Sequence, residues 1–289
     1  MNNNKPIVVA EIGCSHGGLI DRAESLIKLA KLSGADVVKL QKRDVDISTP
    51  NHMKDKPHPN KQFSFGETYL EHRQNLELDA DQHAHLQKFC KQQDIEYATS
   101  VWDMPSLESI AKLNPILIKI PSARNTDFEL IDAAYNLFDG EVHVSLGMTN
   151  SDERSEIILY VLSKKEDLRK RTVLYHCTSA YPCPFDMLYL REIKKMEDAR
   201  RGGMWKANGF SNHGYGIAME PAAYALGARY FERHFIDDRL YKHTDAAPSL
   251  EPSGMSKLCR DLKQLGKAWE YKPKEIDDIE KEQRDKLRV

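Results

Sequence analysis

The chain has 289 residues, with 42 Lys and Arg against 44 Asp and Glu, a formal net charge of −2 and 40% hydrophobic residues. That balance excludes the basic excess needed to track a phosphodiester backbone, so no nucleic-acid partner is expected. No run approaches the roughly 20 apolar residues of a bilayer span, and the opening MNNNKPIVVAEIG lacks the apolar core of a leader, so a soluble cytoplasmic protein without membrane association is expected.

In chain order, IVVAEI (7–12) is a β-branched run, and IDRAESLIKLAKLSG follows it with Ala23, Leu26, Ile27 and Ala30 at helical spacing up to Gly34. DVVKLQ (36–41) is the next strand. Residues 42–66, with Pro50, Pro57 and Pro59 among His, Lys and Asn, form a long loop between the second strand and second helix, expected to be a lid or disordered. LDADQHAHLQKFCKQQ reads as a helix capped by Asp79, and IEYATSV as a strand. The alternation continues through SLESIAKL, PILIKIPS, FELIDAAYNLF, EVHVSLG, SDERSEIILYVLSK, TVLYHCTS, FDMLYLREIKKM, KANGFSNHG, AMEPAAYALG, ARYFERHF and SGMSKLCRDLKQLGKAW. Strands apolar on both faces that alternate with helices imply a parallel sheet, and eight such units close most economically into a barrel. The expected fold is therefore α/β, a single (β/α)8 TIM barrel over residues 1–270 with a charged, helical or disordered tail over 271–289. A doubly wound open sheet is the competing architecture, but no GxGxxG follows the first strand to favour it.

In such a barrel the active site lies at the carboxyl ends of the strands. Those ends carry Glu11, Lys39 with Gln41, Ser100, Lys119 with Ser122, Ser145, His176 with Ser179 and Tyr181, Ser211 with His213, and Glu232 with His234. Two lysines and several hydroxyls converging on one mouth make a receptor for a compact anion. Two neutral imidazoles on neighbouring strands, His213 and His234, can hold a divalent cation with positions left open for water and substrate. Glu232, two residues before His234, shares its face, with Arg233 on the other, and Glu11 is a further carboxylate for proton transfer. Each of these has a structural alternative: a hydrogen-bonded strand-end histidine, a lysine reaching solvent, a carboxylate paired with one of the lysines. The five cysteines, Cys14, Cys90, Cys177, Cys183 and Cys259, are odd in number and lack CxxC spacing, so they read as reduced thiols rather than a disulfide framework or structural zinc site. Cys14 has no evident base beside it and is a poor nucleophile.

The stretches AEIGCSHGG, GADVVKLQ, IKIPS, SLGM, HCTSAYPCP, GFSNHGYGI, ALGARYFERHF and DAAPSLEP resemble, in order, the motifs of the sialic acid synthase family, phosphoenolpyruvate-condensing enzymes that make N-acetylneuraminate and related nonulosonates. The resemblance implies a (β/α)8 catalytic barrel acting on phosphoenolpyruvate and an aldose, with His213 and His234 as ligands of manganese or magnesium. It places Lys39, Ser100, Lys119, Ser122, Ser145, Ser179 and Ser211 on the phosphate and carboxylate of phosphoenolpyruvate, and Glu11, Gln41, Tyr181 and Asp245 towards the reacting centre and sugar. A homodimer is the assembly it implies. Three departures stand out: Ala123 and Arg124 replace a Gly and an acidic residue, putting a cation in the substrate-binding set; Ser179 replaces a frequent Asn; and the sequence ends at EKEQRDKLRV, where relatives approach a small antifreeze-like domain. The expected reaction is condensation of phosphoenolpyruvate with an open-chain (N-acyl)hexosamine or similar aldose, giving a 2-keto-3-deoxy sugar acid and phosphate. The alternatives are a metal-dependent aldolase or isomerase on the same barrel, and a catalytically silent binding homologue.

Overall fold

The computed structural model describes residues 5–288. Eight strands, β1 (Ile7–Gly13), β2 (Val37–Lys42), β3 (Glu96–Val101), β4 (Leu117–Ile120), β5 (Glu141–Ser145), β6 (Thr172–Cys177), β7 (Ala207–Ser211) and β8 (Ala228–His234), pair in parallel, each with the next. β1 also pairs with β8, with Glu11 opposite His234, and the barrel closes. Eight helices wrap it: α1 (Ile20–Leu32), α2 (Ala80–Gln92), α3 (Met104–Ala111), α4 (Phe128–Leu137), α5 (Ser151–Leu162), α6 (Arg191–Arg200), α7 (Met219–Ala225) and α8 (Pro252–Ala268).

The expected TIM barrel is thus the observed one, and local chemistry explains its elements. α1 buries the four residues its periodicity singled out, Ala23, Leu26, Ile27 and Ala30. Asp79 caps α2 in a reciprocal capping box with Gln82. Strand residues alternate between two cores. Val8, Ala10 and Ile12 of β1 face the helices, whereas Val9 packs with Val37, Ala98 and Leu117 inside the lumen. Each fully buried aliphatic side chain contributes about 1.5–3 kcal/mol, which makes the helix-facing layer the main source of stability.

The segment after β2 is more ordered than its prolines suggest. It holds two single turns of helix, Val45–Ser48 and Asn51–Lys54, a 3-10 turn Lys61–Phe63, and a helix Tyr69–Leu76. Asp44 caps the first turn, and Thr68 with Glu71 forms a capping box on the last. After β8 the chain folds back across the barrel rim, where Phe235 bridges Leu250. The charged tail contains a helix α9 (Asp278–Leu287) with no buried residue; residues 1–4 and 289, at the ends of the two expected segments, lie outside the described residues. Among the described residues no helix is long and apolar enough to cross a membrane.

Candidate active site

The carboxyl ends of the strands surround a cavity of about 80 Å³ lined by Glu11, Lys39, Gln41, Ser100, Lys119, Ser122, Ser145, Tyr181, Ser211, His213, Glu232 and His234, all of them expected from the sequence. Parallel pairing brings them together, because every strand ends at the same rim and presents alternate residues inward.

At the floor lies a buried charge network. Lys39 Nζ stands 2.5 Å from Glu11 Oε2 and 3.7 Å from Glu232 Oε2, and donates to Ser100 Oγ at 2.6 Å. Lys119 Nζ lies 2.6 Å from Glu232 Oε1 and 4.4 Å from the centre of the Tyr175 ring. Ser211 Oγ donates to Glu232 at 3.1 Å, and Gln41 Nε2 to Glu11 at 2.8 Å. Burial works to raise both carboxyls. At Glu232 the charges of Lys119 and Lys39 outweigh it and hold the group below the usual carboxylate range. At Glu11 burial, aided by repulsion from Glu232, prevails over Lys39 and the pKa is raised. Lys39 stays charged, since its two carboxylates overcome the cost of burial. The floor therefore offers two ammonium groups, one firm carboxylate and one carboxyl suited to hold a proton.

One wall is a hydroxyl cradle. Ser122 Oγ and Ser145 Oγ are 2.8 Å apart, and Cys177 Sγ lies 3.8 Å from the first and 3.6 Å from Ser179 Oγ. Gly147 makes the space, since a Cβ there would stand 2.5 Å from Ser122 Oγ and 2.8 Å from Ser179 Oγ. Ser179 belongs to this wall although it does not line the cavity itself.

The opposite wall carries the imidazoles. The His213 and His234 rings are 5.4 Å apart, with the Tyr181 ring 4.2 Å from His213. His213 Nδ1–H donates to the Thr178 carbonyl at 3.1 Å; burial disfavours the charged ring, but Cys177, 3.9 Å from Nδ1, prevails and raises the His213 pKa, so Nε2 offers a lone pair in the neutral form of the ring. His234 Nδ1 is buried without a hydrogen-bond partner, 4.0 Å from Asp245 Oδ2, and burial pushes the His234 pKa down to about 3. Both rings can thus offer lone pairs to a cation. Among the described residues no cluster of three or more His, Cys, Asp and Glu side chains is placed to hold a metal, so the protein donors here are the two imidazoles.

Arg124 lies outside the cavity lining, with its guanidinium paired to Asp127. Strand parity also corrects one reading. His176 faces the helices, stacked on Phe210 with its Nε2 on the Leu188 carbonyl at 2.7 Å, and its neighbour Cys177 takes the inward place. The Cys177 thiol is held down to about 6, because His213 and Lys119 outweigh the effect of burial. Trp102, one residue beyond β3, and Met148, three beyond β5, complete the lining with Pro121 and Ala123. Cys14 is buried, and burial pushes its thiol up to about 11. All five cysteines are free.

A parallel (β/α)8 barrel whose mouth unites an ammonium and hydroxyl cradle with two facing imidazoles defines an enzyme that handles a compact anion. The chain belongs to the NeuB family, whose profile matches residues 26–274. It is 33% identical over 264 residues to the N,N'-diacetyllegionaminic acid synthase of Campylobacter jejuni, covering 91% of this chain and 77% of that protein. It is 31% identical over 261 residues to the N-acetylneuraminate-9-phosphate synthase of Homo sapiens, covering 90% and 70%. The crystal structure of an N-acetylneuraminic acid synthetase from Leptospira borgpetersenii superposes with a TM-score of 0.81 at 23% identity, covering 99% of this chain and 93% of that one, which shows the shared fold.

Proposed function

We propose that this chain is a synthase that condenses phosphoenolpyruvate with an open-chain (N-acyl)hexosamine or similar aldose to give a nonulosonic acid and phosphate. The observation that carries the reading is the single cavity in which Lys39, Lys119 and the serines face His213 and His234. A three-carbon anionic donor has its charge neutralised by the lysines: Lys119 keeps donors beyond the one spent on Glu232, and Lys39, whose three donors meet Glu11, Glu232 and Ser100, adds its charge. Ser122, Ser145, Ser179 and Ser211 supply directional hydrogen bonds to its phosphate and carboxylate. His213 and His234 would hold a divalent cation, manganese or magnesium, which when bound supplies Lewis-acid polarisation of the aldehyde.

In this reaction the enol carbon of phosphoenolpyruvate forms a bond to the aldehyde carbon, water adds at C2, and phosphate leaves by C–O cleavage. Glu11, with its raised pKa, is the group able to take or give a proton at the mouth. Glu232 balances the positive charge that Lys39 and Lys119 present to the donor. Tyr181 and Asp245 flank the imidazoles and face the aldose, with Gln41 on the far side beside Glu11. No covalent enzyme intermediate is needed. Because no step draws on a membrane, we place the enzyme in the cytoplasm, as a homodimer by analogy with its family.

The test is phosphate release from phosphoenolpyruvate with a panel of N-acylated and plain aldoses, with and without chelator and added manganese. Release that requires both substrates, is lost with chelator and returns with manganese is expected. An aldose cleaved or isomerised without phosphoenolpyruvate would instead select a metal-dependent aldolase or isomerase.

A further inference from the structure

The pairing of β7 with β8 ends at Ser211 opposite Glu232. His234 is still inside the sheet, opposite Glu11 of β1, but His213 lies two residues beyond the last pair of its strand. The register that fixes one imidazole therefore does not reach the other. Around His213 the loop after β6 contributes two holds, the Thr178 carbonyl on Nδ1 at 3.1 Å and the Cys183 N–H on the His213 carbonyl at 3.0 Å. The remaining hold lies behind the strands. Asn212, just before His213, and Arg233, just before His234, are each 1% exposed, and both meet Glu220 of α7, which is 0% exposed.

Asn212 Nδ2 donates to Glu220 Oε1 at 2.7 Å, and Asn212 Oδ1 accepts the Gly214 N–H at 2.8 Å. Arg233 Nη1 donates to the same Glu220 oxygen and to the Gly216 carbonyl, both at 2.6 Å. Its Nη2 donates to the Gly214 carbonyl at 2.7 Å and the Pro248 carbonyl at 3.2 Å. One carboxylate oxygen thus ties together the end of β7, the turn after His213, β8, and the rim segment in which Asp245 stands 4.0 Å from His234. Glu220 Oε2 and Arg233 Nε have no hydrogen-bond partner. A buried ion pair is a poor source of stability, since well-packed apolar residues of similar volume do as well or better. What it supplies here is geometry, because a planar guanidinium fork meets several acceptors in only one arrangement.

We propose that Glu220 is a positioning residue which, through Asn212 and Arg233, sets the separation of the His213 and His234 rings for a shared divalent cation. This rests on the reading of the two imidazoles as a metal pair and goes further by naming what holds them in register. None of the three residues lines the cavity, so each acts through the backbone of the histidine that follows it or of the turn beyond. Bonds from an imidazole to a metal are about 2 Å long, and a shift of a fraction of an ångström in either backbone is enough to misplace a ring. Groups that orient metal ligands from behind are typically worth ten- to a hundredfold in metal affinity.

The experiment titrates manganese alone into the full chain and reads its Kd from the electron paramagnetic resonance of the free ion, beside a thermal melt of each variant. Glu220→Gln, which keeps the shape and removes the charge that faces Arg233, should raise the manganese Kd roughly tenfold or more and alter the spectrum of the bound ion. Asn212→Ser keeps an oxygen for the Gly214 N–H but loses the reach to Glu220, and should raise the Kd by less. Leu117→Ala, a core truncation remote from the network, should lower the melting temperature and bind manganese as wild type does, which separates positioning from lost stability. Variants of Glu220 and Asn212 that melt earlier yet keep the wild-type Kd overturn the proposal and leave the synthase reading intact, as does a Kd raised equally in Leu117→Ala. Should Glu220→Gln fail to fold, an unchanged Kd in Asn212→Ser overturns it alone. A wild-type chain that binds no manganese removes the metal pair itself, and this role for Glu220 with it.

Discussion

The lumen of the barrel has two storeys built two residues apart on the same strands. The lower holds Val9, Val37, Ala98, Leu117, Tyr175 and Tyr230, and the upper Glu11, Lys39, Ser100, Lys119, Cys177 and Glu232. Polar groups of the lower storey are closed on one another: His143 sits 3.0 Å from both Tyr175 Oη and Glu141 Oε2, and the Tyr230 hydroxyl donates to Glu141 at 2.7 Å. In the upper storey His234 Nδ1 has no hydrogen-bond partner, and Glu232 Oε2 has only the Lys39 ammonium 3.7 Å away. A satisfied layer serves stability, and a layer with open valences serves a ligand, which is the division of labour expected between the two ends of a barrel.

The largest expected effect tests that division directly. Lys39→Met leaves Glu11 and Glu232 facing each other without their shared cation, so turnover should fall by roughly a thousandfold or more, and the urea midpoint should drop by an amount equivalent to about 3–5 kcal/mol. Leu117→Ala, one storey below, opens a cavity worth about 2–5 kcal/mol and should leave kcat/KM nearly unchanged in the folded enzyme. Equal losses of turnover in the two variants would erase the distinction between storeys.

The upper storey was legible because polarity marks it: Lys39 and Lys119 stand in otherwise apolar runs, and a parallel barrel puts every such strand end at one rim. Parity was not legible in β6, where all six residues are buried, so nothing in TVLYHC tells which of His176 and Cys177 faces inward. The rim above was hidden for a different reason. Arg43 and Trp102 lie one residue past their strands, where period-two alternation no longer assigns a face. The helix Tyr69–Leu76 buries only His72 and Leu76, too sparse an apolar pattern to register, although its Thr68–Glu71 capping box was in plain view.

Glycines sharpen the comparison at a smaller scale. Ala at Gly147 puts its Cβ 2.5 Å from Ser122 Oγ and into the hydroxyl cradle. The KM for phosphoenolpyruvate should rise roughly tenfold or more, with little change in melting temperature. Ala at Gly209 meets the Tyr175 ring at 2.5 Å in the lower storey, an overpacking that should cost about 1–3 kcal/mol of stability and leave that KM alone. Steady-state kinetics and thermal melts of the pair separate the two outcomes, and a KM change at Gly209 as large as that at Gly147 would count against the storey boundary.

The smallest effect concerns Glu141, at the closed end. Burial acts to raise its carboxyl, but hydrogen bonds from His143, Lys206 and Tyr230 prevail and bring it down to about 2. Burial keeps His143 itself neutral near pH 7, so it gives Glu141 a hydrogen bond rather than a full charge, and Glu141→Gln should cost about 1–2 kcal/mol at that pH. A depressed folded-state pKa contributes stability that is complete above the unfolded value, 4.5, and is lost as pH falls towards about 2. The gap in urea midpoint between wild type and Glu141→Gln should therefore be constant from pH 7 to pH 5 and narrow below it. Turnover at pH 7 should be the same in both proteins, because Glu141 bonds His143, Tyr230 and Lys206 beneath the cavity and does not line it. A gap that widens on acidification would mean that the carboxylate is a burden to the lower storey, and that the stability of this end comes from its apolar residues alone.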